Sequence, residues 1–129
     1  VNDVSEREWQ IERGGTWDKG KSGDTFGPTG PYLVTQDEIK DVQNLSMSLD
    51  IDGKRMQTGN TSKMIFNMNF ILSYLSGFMS LQPGDIITTG TPPGVGAGMN
   101  PKQFLKVGNK MNLKIEHLGE QNLVVVAEK

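Results

Sequence analysis

Cysteine is absent from the 129 residues. That excludes a disulfide framework, a thiolate nucleophile and a thiolate metal site, and it fits a cytoplasmic protein. Histidine occurs once, at His117, inside a hairpin-like stretch near the C-terminus. There it reads as an exposed turn residue rather than a catalytic base. A basic surplus is missing as well: 13 Lys and Arg stand against 15 Asp and Glu, a formal net charge of −2. Nothing in that balance drives binding to a phosphate backbone, so nucleic acid is not an expected partner. Long apolar runs are also lacking. The richest stretch, residues 66–81, is broken by Asn67, Asn69, Ser73, Ser76 and Gly77, too often for a membrane span. The chain opens Val-Asn-Asp-Val-Ser without Met or a signal peptide, as though cut from within a strand. An N-terminal portion is therefore expected to be missing.

What is present suits a globular domain: 35% hydrophobic and 22% charged residues. Ser5 and Glu8 have the spacing of a capping box and predict a short helix from Ser5. Residues 14–31 hold six glycines and two prolines, but Trp17 and Phe26 among them argue for an ordered loop rather than a linker. Residues 32–39 read as a short strand followed by a turn or one helical turn. Residues 45–53 alternate apolar and polar, the mark of a half-buried strand. Asp52-Gly53 is a hairpin signal that returns the chain antiparallel over residues 54–58.

Met64, Met68, Ile71, Leu72, Leu75 and Met79 recur near helical spacing, predicting one main helix within residues 61–79. Its cap would be Thr61 or Ser62, Gly77 would loosen its end, and its methionines would be core. A strand over Ile86–Thr89 and two more over residues 110–116 and 122–127 complete the pattern. The predicted fold is mixed, β-rich and α+β, with one main helix.

Three places can carry chemistry. Asp3 precedes Arg7 and Gln10, which lie three apart and share a face if Ser5 starts a helix. Spacing alone also fits an acidic helix flank with a solvated Arg. Lys19 and Lys21 stand among glycines beside Asp18, Asp24 and Thr25, where a lysine can serve as a point charge for a carboxylate or enolate; ordinary surface lysines fit that pattern too. "GTWDKGKS" matches the phosphate-loop expression, yet no hydrophobic strand precedes it and no helical pattern follows it. The nest and dipole that hold phosphate are then lacking. In "QPGDIITTGTPPGVGAG", residues 82–98, Thr88, Thr89 and Thr91 offer hydroxyls. Gly90, Gly94 and Gly96 leave N–H groups open, and two prolines fix the shape. Such a loop can cradle a carboxylate with neutral donors, or simply be a rigid turn.

Taken together, "NDVSEREWQ", "KSGDTFGPTGPYLVT", "GNTSKMIF" and "LQPGDIITTGTPPGVG" resemble the fumarylacetoacetate hydrolase family. "ERGGTWDKGKS" is similar to members that hydrolyse 2,4-diketo-3-deoxy sugar acids of fuconate-type breakdown. The resemblance implies a mixed β-roll or sandwich, a homodimer, and cleavage or rearrangement of small oxo acids with Mg2+ or Mn2+. In the family the cation is held by two glutamates in an E-x-E arrangement and a later aspartate, which Asp3 matches. Arg7 and Gln10 match residues near the substrate, and Lys21 the lysine that meets metal-bound water and substrate oxygens. Thr25 matches the following threonine, and Thr91 the one that receives the substrate carboxylate.

The implied activity is metal-dependent hydrolysis of a C–C bond in a 2,4-dioxo acid, releasing pyruvate. Isomerisation or decarboxylation of a 2-oxo diacid, or an inactive half-domain, are the alternatives. The chain would be the C-terminal portion of the catalytic domain, without the E-x-E pair and the water-activating His–Glu pair. Gly23 stands where many members have Phe, and Glu6 where many have Ala.

Overall fold

The computed structural model describes residues 1–127. The chain divides into two compact units, Val1–Tyr32 and Leu33–Lys129.

In the first unit, Arg7 opens a π-helical turn, Glu8–Glu12, and a 3-10 turn follows at Asp18–Lys21. The expected capping box does not form. Ser5 Oγ donates back to Asp3 O (3.3 Å), and it is the Glu6 carboxylate that accepts from the Glu8 N–H (2.9 Å). A carboxylate two residues before the turn reaches that donor, so the Ser5 hydroxyl is left to a local turn. The glycine-rich loop is ordered as expected, by Phe26, whose ring stacks on Trp9 with centroids 6.4 Å apart. Trp17 points elsewhere and is 64% exposed.

The second unit is built on one antiparallel sheet of order β2-β1-β3-β4, with β1 at Ser46–Ile51, β2 at Lys54–Asn60, β3 at Lys110–Ile115 and β4 at Gly119–Val124. The β1–β2 turn is the Asp52-Gly53 pair read from the sequence, both at positive φ (50° and 78°). The strand at 122–127 is corrected: β4 begins at Gly119, because His117 (φ 63°) and Gly119 (φ 76°) close a tighter turn. His117 is exposed on that turn, as expected. Cross-strand pairs put Met47 opposite Ile115, Leu49 opposite Leu113 and Ile51 opposite Met111, so these six share one face. Asp50 opposite Asn112, and Asn112 opposite Asn122, mark the other.

Two expected strands do not form. Residues 32–39 run irregularly into a 3-10 turn at Gln36–Glu38. Ile86–Thr89 joins no ladder among the described residues, and Ile86 is 65% exposed. β-branched side chains favour a pleated surface only when a neighbouring strand supplies one.

The helix is shorter than its pattern. Asn60 caps a 3-10 turn at Thr61–Lys63, Met64 takes extended backbone angles, and α1 runs only over Met68–Ser76. Its cap is Asn67, whose side chain accepts from the Phe70 N–H (2.8 Å), not Thr61 or Ser62. Of the three methionines expected in its core, Met64 and Met68 are half-buried, while Met79 lies beyond the helix and is 54% exposed. No helix among the described residues is long and apolar enough to cross a membrane.

Thr61 has a different task. Buried, its Oγ1 accepts from the Leu45 N–H (2.8 Å) and donates to Val42 O (2.9 Å), tying the approach to β1 onto the end of β2. Gln43 continues the tie, donating to Thr61 O and accepting from the Met68 N–H. Thr61→Val would leave both partners unsatisfied at a buried site. Urea unfolding should show a loss of about 1–3 kcal/mol for each of the two groups, and an unchanged midpoint would refute the role.

Two surface carboxylates add an acid dependence. Asp50 is held below its ordinary value by the hydrogen bond from Arg55, and Glu116 by the hydrogen bond from the Ser46 backbone N–H. A depressed native pKa favours the fold while the group is ionised. Their contribution is therefore complete above the ordinary carboxylate range and fades as pH falls through the lower native values. The acid slope of the melting temperature should flatten in Asp50→Asn with Glu116→Gln; an identical slope would count against it.

Candidate active site

In the first unit the chain folds back so that the two turns touch. The Glu6 N–H donates to Gly20 O (2.8 Å), and the Asn2 N–H to Pro28 O (3.0 Å). The contact depends on Gly20. A Cβ there would stand 2.4 Å from Gln10 Cβ and 2.6 Å from Glu6 O, closer than carbon atoms approach without bonding.

This packing brings Lys21 to Asp3 across eighteen residues of sequence, with Nζ 2.6 Å from Oδ2. The Lys21 side chain is about three-quarters covered, whereas that of Asp3 is 49% exposed. One carboxylate thus presents open oxygen beside a partly sheltered ammonium. In the open, such a pair adds little to stability. Its chemical capacity is larger: a hard anionic ligand for a divalent cation next to a fixed positive charge.

Arg7 and Gln10 are also together. The Arg7 guanidinium donates to Gln10 Oε1, while Gln10 Nε2 donates to Trp17 O (3.2 Å). Gln10 is only 1% exposed, so both ends of its amide are engaged inside the unit. Arg7 is half-buried and keeps further N–H donors for an oxyanion. Thr25 lies exposed on the turn closed by the Phe26 N–H to Gly23 O (2.8 Å).

Thr91 belongs to the second unit, in a loop whose shape comes from three close approaches. A Cβ on Gly94 would fall 2.0 Å from Met56 O, one on Gly96 1.6 Å from Gln103 O, and one on Gly59 2.6 Å from Pro92 Cβ. The loop therefore lies directly on β2, and the side chain meeting it is Gln57. Its Nε2 donates to Thr91 Oγ1 (2.9 Å) and to Pro92 O (2.7 Å). Gln57 was not among the residues singled out from the sequence, where it is one polar position in a strand.

One carboxylate does not hold Mg2+ or Mn2+. Asp3 fits as one ligand, but no group of three or more His, Asp or Glu side chains converges among the described residues. Other donors would have to come from elsewhere.

The family profile described as "Fumarylacetoacetate (FAA) hydrolase C-terminal" matches residues 1–126. A Burkholderia lata protein named provisionally as a hydrolase is 63% identical over 122 residues, 94% of this chain and 43% of that protein. The chain thus spans less than half the length of the curated relatives it matches. Among solved structures, the fumarylacetoacetate hydrolase of psychrophilic Exiguobacterium antarcticum superposes with a TM-score of 0.94 at 38% identity, covering 99% of this chain and 46% of that one. The maleylpyruvate hydrolase of Sphingobium sp. SYK-6, in complex with manganese(II) ion and pyruvate, gives a TM-score of 0.77 at 34% identity, covering 85% and 39%.

If Gly20 sets the approach of the two turns, Gly20→Ala should separate Lys21 from Asp3. Amide hydrogen exchange of residues 1–32 should accelerate at least tenfold while β1–β4 keep their protection. Unchanged protection around Glu6 and Gln10 would show that the turns are held otherwise.

Proposed function

The chain belongs to the fumarylacetoacetate hydrolase family, and from that premise we propose that it forms the C-terminal part of a divalent-cation-dependent enzyme that hydrolyses a C–C bond in a 2,4-dioxo acid. The substrate class is an acylpyruvate or a 2,4-diketo-3-deoxy sugar acid, and pyruvate is one product. The observation that carries this reading is the Lys21–Asp3 pair, 2.6 Å apart, with the carboxylate half open. The manganese and pyruvate of the Sphingobium protein support the substrate class and the kind of cation.

Asp3 would be one ligand of Mg2+ or Mn2+, with the E-x-E glutamates supplied by polypeptide outside this chain. When bound, the cation supplies Lewis-acid polarisation of the substrate's carboxylate and 2-oxo oxygens. Arg7, oriented by buried Gln10, holds the acid by bidentate donation. Thr25 donates a neutral hydrogen bond to its oxygens, and the resemblance assigns Thr91 the substrate carboxylate.

Water adds to the distal carbonyl, and the C–C bond on its 2-oxo side then breaks, giving a carboxylic acid and the enolate of pyruvate. Lys21 puts its ammonium charge beside the oxygen where that negative charge develops, the interaction on which the rate should mostly depend. The enolate carbon finally takes a proton. The base that activates the water is assigned to the His–Glu pair of the resemblance, outside this chain. We further propose a cytoplasmic homodimer. Leu33 and Ile65, each more than nine-tenths exposed, are side chains that association could cover.

In the enzyme that carries this chain, Lys21→Ala should lower kcat for acylpyruvate hydrolysis by about 10²–10³-fold while KM changes little. Pyruvate and the acid should form in equal amounts. An unchanged kcat would remove Lys21 from the mechanism, and carbon dioxide or an isomer as the product would replace hydrolysis.

A further inference from the structure

Gln57 donates both of its amide hydrogens to one loop, to Thr91 Oγ1 at 2.9 Å and to Pro92 O at 2.7 Å. Pro92 O can only accept, so the NH2 end of the amide must face the loop. A hydroxyl has one proton to give and lone pairs to receive. Once Thr91 Oγ1 accepts from Gln57, its proton has to be directed elsewhere. Among the described residues the acceptor it meets is Pro92 O at 3.5 Å, a poor partner already engaged by Gln57. We propose that Gln57 is a positioning residue that fixes Thr91 as a hydrogen-bond donor, selecting an anionic carboxylate as the group this loop receives. The inference rests on reading Thr91 as a substrate-binding hydroxyl.

The backbone explains how a strand residue reaches the loop. β2 is in register with β1 from Ile51↔Lys54 to Asp50↔Arg55, and then slips, so that Leu49 faces Gln57. Met56 is the extra residue of a β-bulge. Without it Gln57 would pair with Ser48 and its side chain would lie on the opposite face of the sheet. With it, Gln57 shares the face of Leu49 and of Gly59, the glycine that admits Pro92. The carbonyl of the bulged Met56 is also the atom that Gly94 approaches. The bulge against Gly94 and Gly59 against Pro92 hold the loop at two points, and Gln57 sets the polarity of its hydroxyl. A hydroxyl that accepts a hydrogen bond also donates a stronger one, because the two polarise each other.

The test is a kinetic cycle in the enzyme that carries this chain, with an acylpyruvate as substrate. Gln57→Met and Thr91→Val should each raise KM about tenfold, as expected for one lost hydrogen bond to an anion, with kcat within about twofold. The double variant should be no worse than Thr91→Val alone. Gln57→Glu adds a signature that loss of structure would not produce. Its ionised carboxyl accepts the Thr91 proton and raises KM near neutral pH, whereas its protonated carboxyl donates and lowers KM again as pH falls.

If Thr91→Val leaves KM unchanged, the reading of Thr91 itself fails. If Thr91→Val raises KM but Gln57→Met does not, or if their effects multiply, only the role of Gln57 fails. Should Gln57→Met not fold, the unsubstituted protein decides. Pyruvate should shift the Gln57 side-chain amide protons downfield in 15N-edited spectra, and their indifference to pyruvate would overturn the proposal.

Discussion

A Cβ on Gly94 would lie 2.0 Å from Met56 O, and one on Gly20 would lie 2.4 Å from Gln10 Cβ. Both units place their polar side chains by the same device, backbone brought to a distance that any side chain would forbid. In the first, the approach of two short turns carries Lys21 to Asp3 and buries Gln10 beneath Arg7. In the second, it lays the Thr91 loop on β2. None of these turns is long enough to be stable alone. Their geometry comes from contact, and the contact comes from missing Cβ atoms.

The apolar core would not enforce such geometry by itself. Among the described residues only Ile39, Leu45 and Met111 are buried hydrophobics, whereas Asn2, Gln10, Thr61 and Gln121 are buried and polar. Apolar burial favours compactness without direction, but a buried amide or hydroxyl must find its partner at a set distance and angle. Thr61 and Gln43 fix how the segment before β1 meets α1, and Gln10 fixes the guanidinium of Arg7. Along α1 and just beyond its ends the rings of Phe66, Phe70 and Tyr74 stack in succession and Phe78 meets Tyr74 edge-on, with neighbouring centroids 4.9–6.1 Å apart. They are nonetheless 49–70% exposed. The i,i+4 spacing aligns these rings with one another but does not bury them.

This explains what could be read from the residues. β1 and the Asp52-Gly53 turn were legible because alternation and a two-residue turn are local signals. The α+β class followed from those strands and one helical stretch. The helix boundary was misplaced because apolar spacing continues through Met64, while Asn67 starts the helix with a hydrogen bond that spacing does not encode. Ile86–Thr89 has the composition of a strand and no partner among the described strands. Asp3 and Arg7 stood out by their spacing to Gln10 at the start of a short turn, Lys21 and Thr91 as residue types beside glycines, and the resemblance supplied their roles. Gln57 could not stand out. Its role depends on a bulge one residue long, and an alternating pattern does not reveal which side of the slip a glutamine falls on.

On the proposed reading, charged and neutral donors divide the work. A 2,4-dioxo acid brings one negative charge with it and develops another only as its C–C bond breaks. A group that binds the standing charge strongly lowers the ground state as much as the transition state, and gains nothing in kcat. Thr91, polarised by Gln57 but uncharged, suits the standing carboxylate, because it adds orientation to the hold assigned to Arg7 without tightening it as a second charge would. Lys21 suits the charge that appears later. It waits on Asp3 through a single oxygen, Oδ2, so Asp3 retains lone pairs for a cation, and the ammonium retains protons for the developing enolate. The short Lys21–Asp3 contact therefore keeps a full positive charge in place before the reaction needs it, at little cost in reorganisation when it does.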